Sequence, residues 1–329
     1  MLETYSIRVA NSLDMDTEEL DLSQPLKLPS YPRRRERIKQ VTDLRQGLIE
    51  VLNLRHCQLL DLIAERNSSL GKVMPPSKKM VYEIRLYSGL RNCLQRLEKT
   101  ETDPALIQQI QTIFTVKHNE LEANLWNGIF TSEAVERNFS LSEPALPLQE
   151  EAGFSQSRQA LIILNQIASL NNNREKWSDS GYLDQLESHL HALYSLRYGS
   201  RWLRSLALIK NTLNHTSEVI EERLKERPLC FNQQTTPKAR IVKNVFNKYY
   251  AGQVQPYMAR IDRQGKEWLA LNRNLLGNFT DIPQPMQAYK NQILAADAPL
   301  WLNYTQARDR HILAWQTLLK QCNLMPGSS

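Results

Sequence analysis

Apolar residues recur every three or four positions through most of the chain, the spacing of a helix that buries one face. Leu2, Tyr5, Val9 and Leu13 predict a short amphipathic helix over 2–13. Pro25, Pro29 and Pro32 then break the pattern, and 14–36 is expected to run as an extended strap over the body. From Leu44 the helical period returns, with Leu48, Val51, Leu52, Leu59, Leu62 and Ile63 on one stripe. Arg66 is placed to close that helix, where a cation faces the negative end of the dipole. Asn67 and Gly71 are candidates for left-handed backbone in the exit, and Ser77, after Pro75-Pro76, is the expected N-cap of the next helix. Met80, Ile84, Tyr87, Leu90, Leu94 and Leu97 form the buried face of that helix. Asp103-Pro104 starts a third, running to about Phe130.

Pro144, Pro147 and Gly153 mark 140–154 as a linker. It separates a helical hairpin subdomain over 37–139 from a helical subdomain over 155–329, or joins them as one continuous domain. Helices are expected from Leu161 to Leu170, where Asn171-Asn172-Asn173 interrupts, from about Ser180 to Arg227 with a break at Gly199, from Pro237 past Gly252 to Leu276, and from Pro299 to Cys322. No sustained apolar–polar alternation or Asn-Gly hairpin signal occurs. The expected fold is all-α, a multi-helix bundle of long antiparallel hairpins.

Composition agrees: glycine numbers 11 in 329 residues, too few for a turn-rich β fold. No apolar run approaches the roughly 18 residues that span a bilayer. The net charge of +6 is modest, so its distribution matters more than its size. The first 24 residues are acidic, and the knot Arg33-Arg34-Arg35 with Arg37 and Lys39 follows; it reads first as a solvated helix start or a partner for those acids. Glu-x-x-His pairs, HExxH, and the phosphate-loop, dinucleotide and GxSxG signatures are all missing. His118 and Glu122 share a helix face, most simply as a surface pair, and His189 and His191 point to different faces. Trp301, Tyr304 and Trp315 fit core packing better than a ligand groove. No catalytic residue, metal or cofactor is expected.

The four cysteines lack any CxxC spacing and pair most naturally as Cys57 with Cys93 and Cys230 with Cys322. In a reducing compartment each is a small buried hydrophobe; in an oxidising one each pair closes a loop. The midpoint of 57 and 93 is Pro75, so a hairpin folded there brings those two cysteines level. MLETYSIRVANSL has neither a basic nor an apolar leader region, which leaves a cytosolic protein or one whose leader precedes this numbering.

Cys57, the run Arg66-Asn67-Ser68-Ser69-Leu70-Gly71, Pro76-Ser77, Tyr82-Glu83 and Cys93 resemble a bacterial family of unknown function whose members are described as lipoproteins of Gram-negative bacteria. The similarity reaches Trp315 and Cys322. It implies an exported protein whose leader ends in a lipid-modified cysteine; since no cysteine precedes Cys57, that anchor is expected upstream, in a longer precursor. It also implies that both cysteine pairs are oxidised, and it carries no activity. The resulting expectation is a non-enzymatic periplasmic lipoprotein, held at the membrane by its lipid. It would bind an envelope partner or act as an adaptor, with Arg66, Asn67, Ser68, Ser69 and Gly71 as the recognition loop. The alternatives are a cytosolic protein holding nucleic acid through Arg33–Lys39, which is not the expected partner, and an enzyme with dispersed residues in an interhelical cleft.

Overall fold

The computed structural model describes residues 1–16, 20–22, 26–41, 54–100, 103–148 and 153–325, and among these there is no strand. The expected all-α fold is what the chain adopts. Helix α1 (Leu2–Leu13) buries Tyr5, Val9 and Leu13. The strap that follows carries one helical turn, α2 (Arg34–Arg37), while Leu22, Leu26, Leu28 and Tyr31 pack against the core.

The expected helix from Leu44 to Arg66 falls partly outside the described residues, and the described part is not continuous. Leu54–Cys57 is a 3-10 turn, and α3 begins only at Leu60 and ends at Asn67. Gln58 between them takes a left-handed φ of 58°. The Leu59 amide then bonds the Leu54 carbonyl and the Gln58 amide the Arg55 carbonyl, a Schellman ending that redirects the chain. Consequently the dominant hairpin does not fold about Pro75. It pairs α5 (Pro76–Lys99) with α6 (Pro104–Phe130). Asp103 caps α6 through the Ala105 amide, with Pro104 at the first helical position.

The two ends of this hairpin lie in different cores. Leu90, Leu94 and Leu97 meet Ile110 and Ile113 in a small cluster that also holds Leu54, Cys57, Leu59, Ile63 and Cys93. Met80, Ile84, Leu125, Trp126 and Ile129 belong instead to a large cluster that runs from Leu2 to Cys322. That cluster draws on α7 (Glu133–Asn138), α8 (Phe154–Ala168), α9 (Tyr182–Leu196), α10 (Tyr198–Glu226) and α11 (Pro237–Val245), and on α12 (Gln255–Gly277), α13 (Gln284–Tyr289) and α14 (Pro299–Gln321). The segment between α7 and α8 is packed where it is described: the Leu146 amide donates to Ser205, and Tyr257 donates to the Leu146 carbonyl. The break between α9 and α10 falls at Arg197, with φ 47°, rather than at Gly199. Gly199 is needed for space, since a Cβ there would stand 2.5 Å from the Asn138 carbonyl oxygen.

The basic knot divides in two. Arg37 is fully buried; its guanidinium donates to the Phe130 carbonyl, pairs with Glu136 and lies over the Tyr31 ring. Lys39 bridges Glu122 and Asp281 at 3.3 and 3.2 Å, and its backbone exchanges hydrogen bonds with the Asn127 amide. Only Arg33, Arg34 and Arg35 remain exposed. The acids that hold Arg37 and Lys39 come from α6, α7 and the Asp281 loop. Arg37→Ala should cost about 2–4 kcal/mol in urea unfolding, because it strips a carbonyl partner and leaves a cavity. Arg34→Ala should stay within about 0.5 kcal/mol.

Candidate binding cleft

The Arg66–Gly71 run forms a fixed connection between α3 and α5. Ser68 is extended at φ −64° and ψ 165° and caps the short helix α4 (Ser69–Lys72) by accepting from the Gly71 amide. Its hydroxyl donates back to the Glu65 carbonyl, and Arg66 donates to the Gly71 carbonyl. Neither Asn67 nor Gly71 is left-handed. Gly71 is required for close approach instead, since a Cβ would lie 2.2 Å from the Glu65 carbonyl oxygen. Nor is Ser77 the cap of α5: Pro75 holds that position, and Ser77 is buried in the first turn. The side chains of Arg66 and Ser68 are thus turned to the run's own backbone, while Asn67 and Ser69 are exposed. Beside them Leu70 at 82% exposure, and Val73 just after the run at 75%, add apolar surface.

Pro75 and Pro76 lead from this turn into a cleft of about 510 Å³. The α6–α7 elbow (Thr131 to Glu133) forms one wall, and Glu187, Leu190, His191 and Tyr194 of α9 form another. Ser132 shapes the elbow by capping α7 through the Val135 amide. Arg137 pairs with Glu133 at 2.7 Å and lies 4.2 Å from the centre of the Tyr194 ring, fixing the rim. Glu136 is matched by Arg37. The lining thus combines proline and aromatic faces with carboxylates from two elements.

Other sequence candidates are kept apart. His191 lines the cleft one turn after Glu187, whereas His189 is not among its lining residues. His118 meets the Tyr87 hydroxyl at 3.3 Å, and burial together with Arg174 holds its imidazole below the usual pKa. Glu122, on the same face, is occupied by Lys39 and by the backbone amides of Thr280 and Asp281. Among the described residues no group of three histidine, cysteine or acidic side chains is placed to hold a metal ion. Tyr304 and Trp315 are buried core residues, and Trp301 packs beside Tyr304. Cys57 and Cys93 stand at disulfide distance with Cα atoms 5.1 Å apart, and Cys230 and Cys322 at 5.2 Å.

The richest polar cluster joins helices at opposite ends of the chain. His311 on α14 is fully buried and meets Tyr5 of α1 at 2.7 Å through Nε2, and Ser217 of α10 at 3.0 Å through Nδ1. Trp315 Nε1 can only donate, and its bond to the Tyr5 oxygen is 2.8 Å. Tyr5 therefore donates its own proton to Nε2, and Nδ1 carries the imidazole proton toward Ser217. Ser217 in turn donates to the Leu213 carbonyl. Burial drives the His311 pKa down to about 3, and in the neutral tautomer both ring nitrogens are matched. The sequence signal was a histidine four residues before a tryptophan on a buried stripe; its partner Tyr5 lies 306 positions away, beyond any local pattern.

No curated protein and no solved structure matches the chain. A family model described as Protein of unknown function (DUF3080) matches residues 2–326, a span that takes in both cysteine pairs, the cleft and the Tyr5–His311 cluster, and the chain belongs to that family.

Proposed function

We propose that the chain is an exported, lipid-anchored, non-enzymatic helical protein of the Gram-negative cell envelope that works by holding a partner. The observation carrying this reading is the cysteine arrangement: all four cysteines are used in two pairs at disulfide distance, a pattern suited to an oxidising compartment. The binding surface we assign is the cleft at Pro75–Pro76 with the Arg66–Gly71 turn leading into it. Its prolines, Leu190 and Tyr194 offer apolar contact to an extended peptide segment. Glu133 and Glu136 are already paired with Arg137 and Arg37, and Arg34 also lines the cleft, so Glu187 is the carboxylate left to meet a polar or cationic group of that segment.

The test is to express the full-length precursor in a Gram-negative host, fractionate the cells and map the peptides by mass spectrometry without reductant. Cross-linked Cys57–Cys93 and Cys230–Cys322 peptides in the envelope fraction are expected. Free thiols on a protein recovered from the cytoplasm would overturn the reading.

A further inference from the structure

From Arg227 to Ile261 the chain contains no acidic residue, while Arg227, Lys238, Arg240, Lys243, Lys248 and Arg260 are cationic. The fold places three of these cations, Arg240, Lys243 and Lys248, on α11 and the turn that follows it. Helix α11 turns Ala239, Val242 and Val245 inward. Its opposite side exposes Arg240, Ile241 and Asn244, and Asn247 and Lys248 continue that exposed side into the π-helical turn Phe246–Val254. Lys238 is committed to Asp14 of the neighbouring α1, and Arg260 to the Pro147 carbonyl. Arg240, Lys243 and Lys248 have no anionic partner among the described residues.

Two large apolar side chains are exposed on the same stretch of chain. Ile241 is 53% exposed, and Phe231, in the loop just before α11, is 73% exposed. That loop is held firmly. Asn232 and Gln233 are left-handed, Cys230 is paired with Cys322, Thr235 donates to the Cys322 carbonyl, and the Leu229 amide donates to Gln321. A rigid loop keeps Phe231 extended at no further ordering cost when it inserts.

We propose that the outer face of α11 with the Phe231 loop docks on the surface of an anionic phospholipid bilayer. Cations attracted to lipid phosphates, with an aromatic and an aliphatic side chain between them, are the composition of an interfacial contact. Phosphates of a nucleic acid would answer the charge but give Ile241 nothing to bury against. The proposal needs no assumption about the compartment, so it stands or falls separately from the localisation experiment.

Sedimentation of the whole chain with vesicles tests it. The protein should pellet with phosphatidylethanolamine–phosphatidylglycerol vesicles at low salt, stay in solution with phosphatidylcholine alone, and be released at high salt. Arg240→Gln, Lys243→Gln and Lys248→Gln together should weaken partition about a hundredfold, roughly fivefold per charge. Phe231→Ser with Ile241→Ser should weaken it about tenfold, while Leu70→Ser with Val73→Ser should leave it unchanged. Phe231→Trp should give vesicle-dependent blue-shifted emission beyond that of the parent chain. All these positions except the half-buried Lys243 are exposed, and an unchanged Tm checks each fold. Absence of binding to anionic vesicles overturns the proposal. So does binding indifferent to Phe231 and Ile241, which marks plain polyanion attraction, or binding that Leu70 and Val73 control.

Discussion

Replacing Cys230 and Cys322 together by alanine should lower the stability of the oxidised protein by about 4 kcal/mol. The bond closes a loop of 92 positions, and the freedom returned to the unfolded chain grows with the logarithm of loop length. Alanine at both sites avoids burying a new hydroxyl, which matters because the two cysteines are 4% and 0% exposed. The hydrogen bonds of Leu229 to Gln321 and of Thr235 to the Cys322 carbonyl remain, so the native geometry has support without the sulfurs. Urea unfolding of parent and variant, with and without reductant, gives the difference directly. A variant within 1 kcal/mol of the oxidised parent would show that the cross-link does not constrain the unfolded chain.

Acid should destabilise the protein before its carboxylates titrate, and His311 is the reason. Unfolded, its imidazole takes a proton near pH 6.5; folded, burial holds it neutral down to about pH 3. Between those values the unfolded chain binds more protons, so stability is fully present above about pH 6.5 and falls with falling pH. The slope is about 1.4 kcal/mol per pH unit, or about 2.5 kcal/mol lost between pH 7 and 4.5. Below that range the depressed carboxyls of Glu122, Glu221 and Asp14 add losses of the same sign. His311→Gln should cost about 2–3 kcal/mol at pH 7.5 through broken bonds to Tyr5 and Ser217. It should also flatten the profile between pH 6.5 and 4.5. Denaturant midpoints across that range, parent beside variant, settle the matter; an equal slope in both would remove His311 as the cause.

The fold class and most long helices were legible because periodicity reports which face is buried, and Asp103-Pro104, Pro237 and Pro299 start helices where proline is suited to start them. Interruptions were harder to read. Gln58 and Arg197 break helices in left-handed backbone, a conformation that side chains other than glycine adopt only under tertiary constraint. Glycines misled for the complementary reason: Gly71 and Gly199 are conserving space against neighbouring carbonyls, which spacing does not encode. Of the cleft, Arg34, Pro75, Pro76, Ser77 and His191 carried a mark in the sequence, for different reasons. Glu133, Glu187 and Tyr194 become neighbours through the packing of α7 against α9. The buried use of Arg37 was likewise invisible, because its partners Phe130 and Glu136 lie 93 and 99 positions away.

The clasp between Tyr5 and His311 also sets an order on assembly. α1 is made long before α14. The hydroxyl of Tyr5 has neither His311 nor Trp315 to meet until α14 exists. Contacts with α10 and α11 can collect α1 earlier, but its polar lock closes only with α14. Until α14 arrives, α1 is therefore held by its packing on α10 and α11, and the step that orients Tyr5 belongs to the docking of α14.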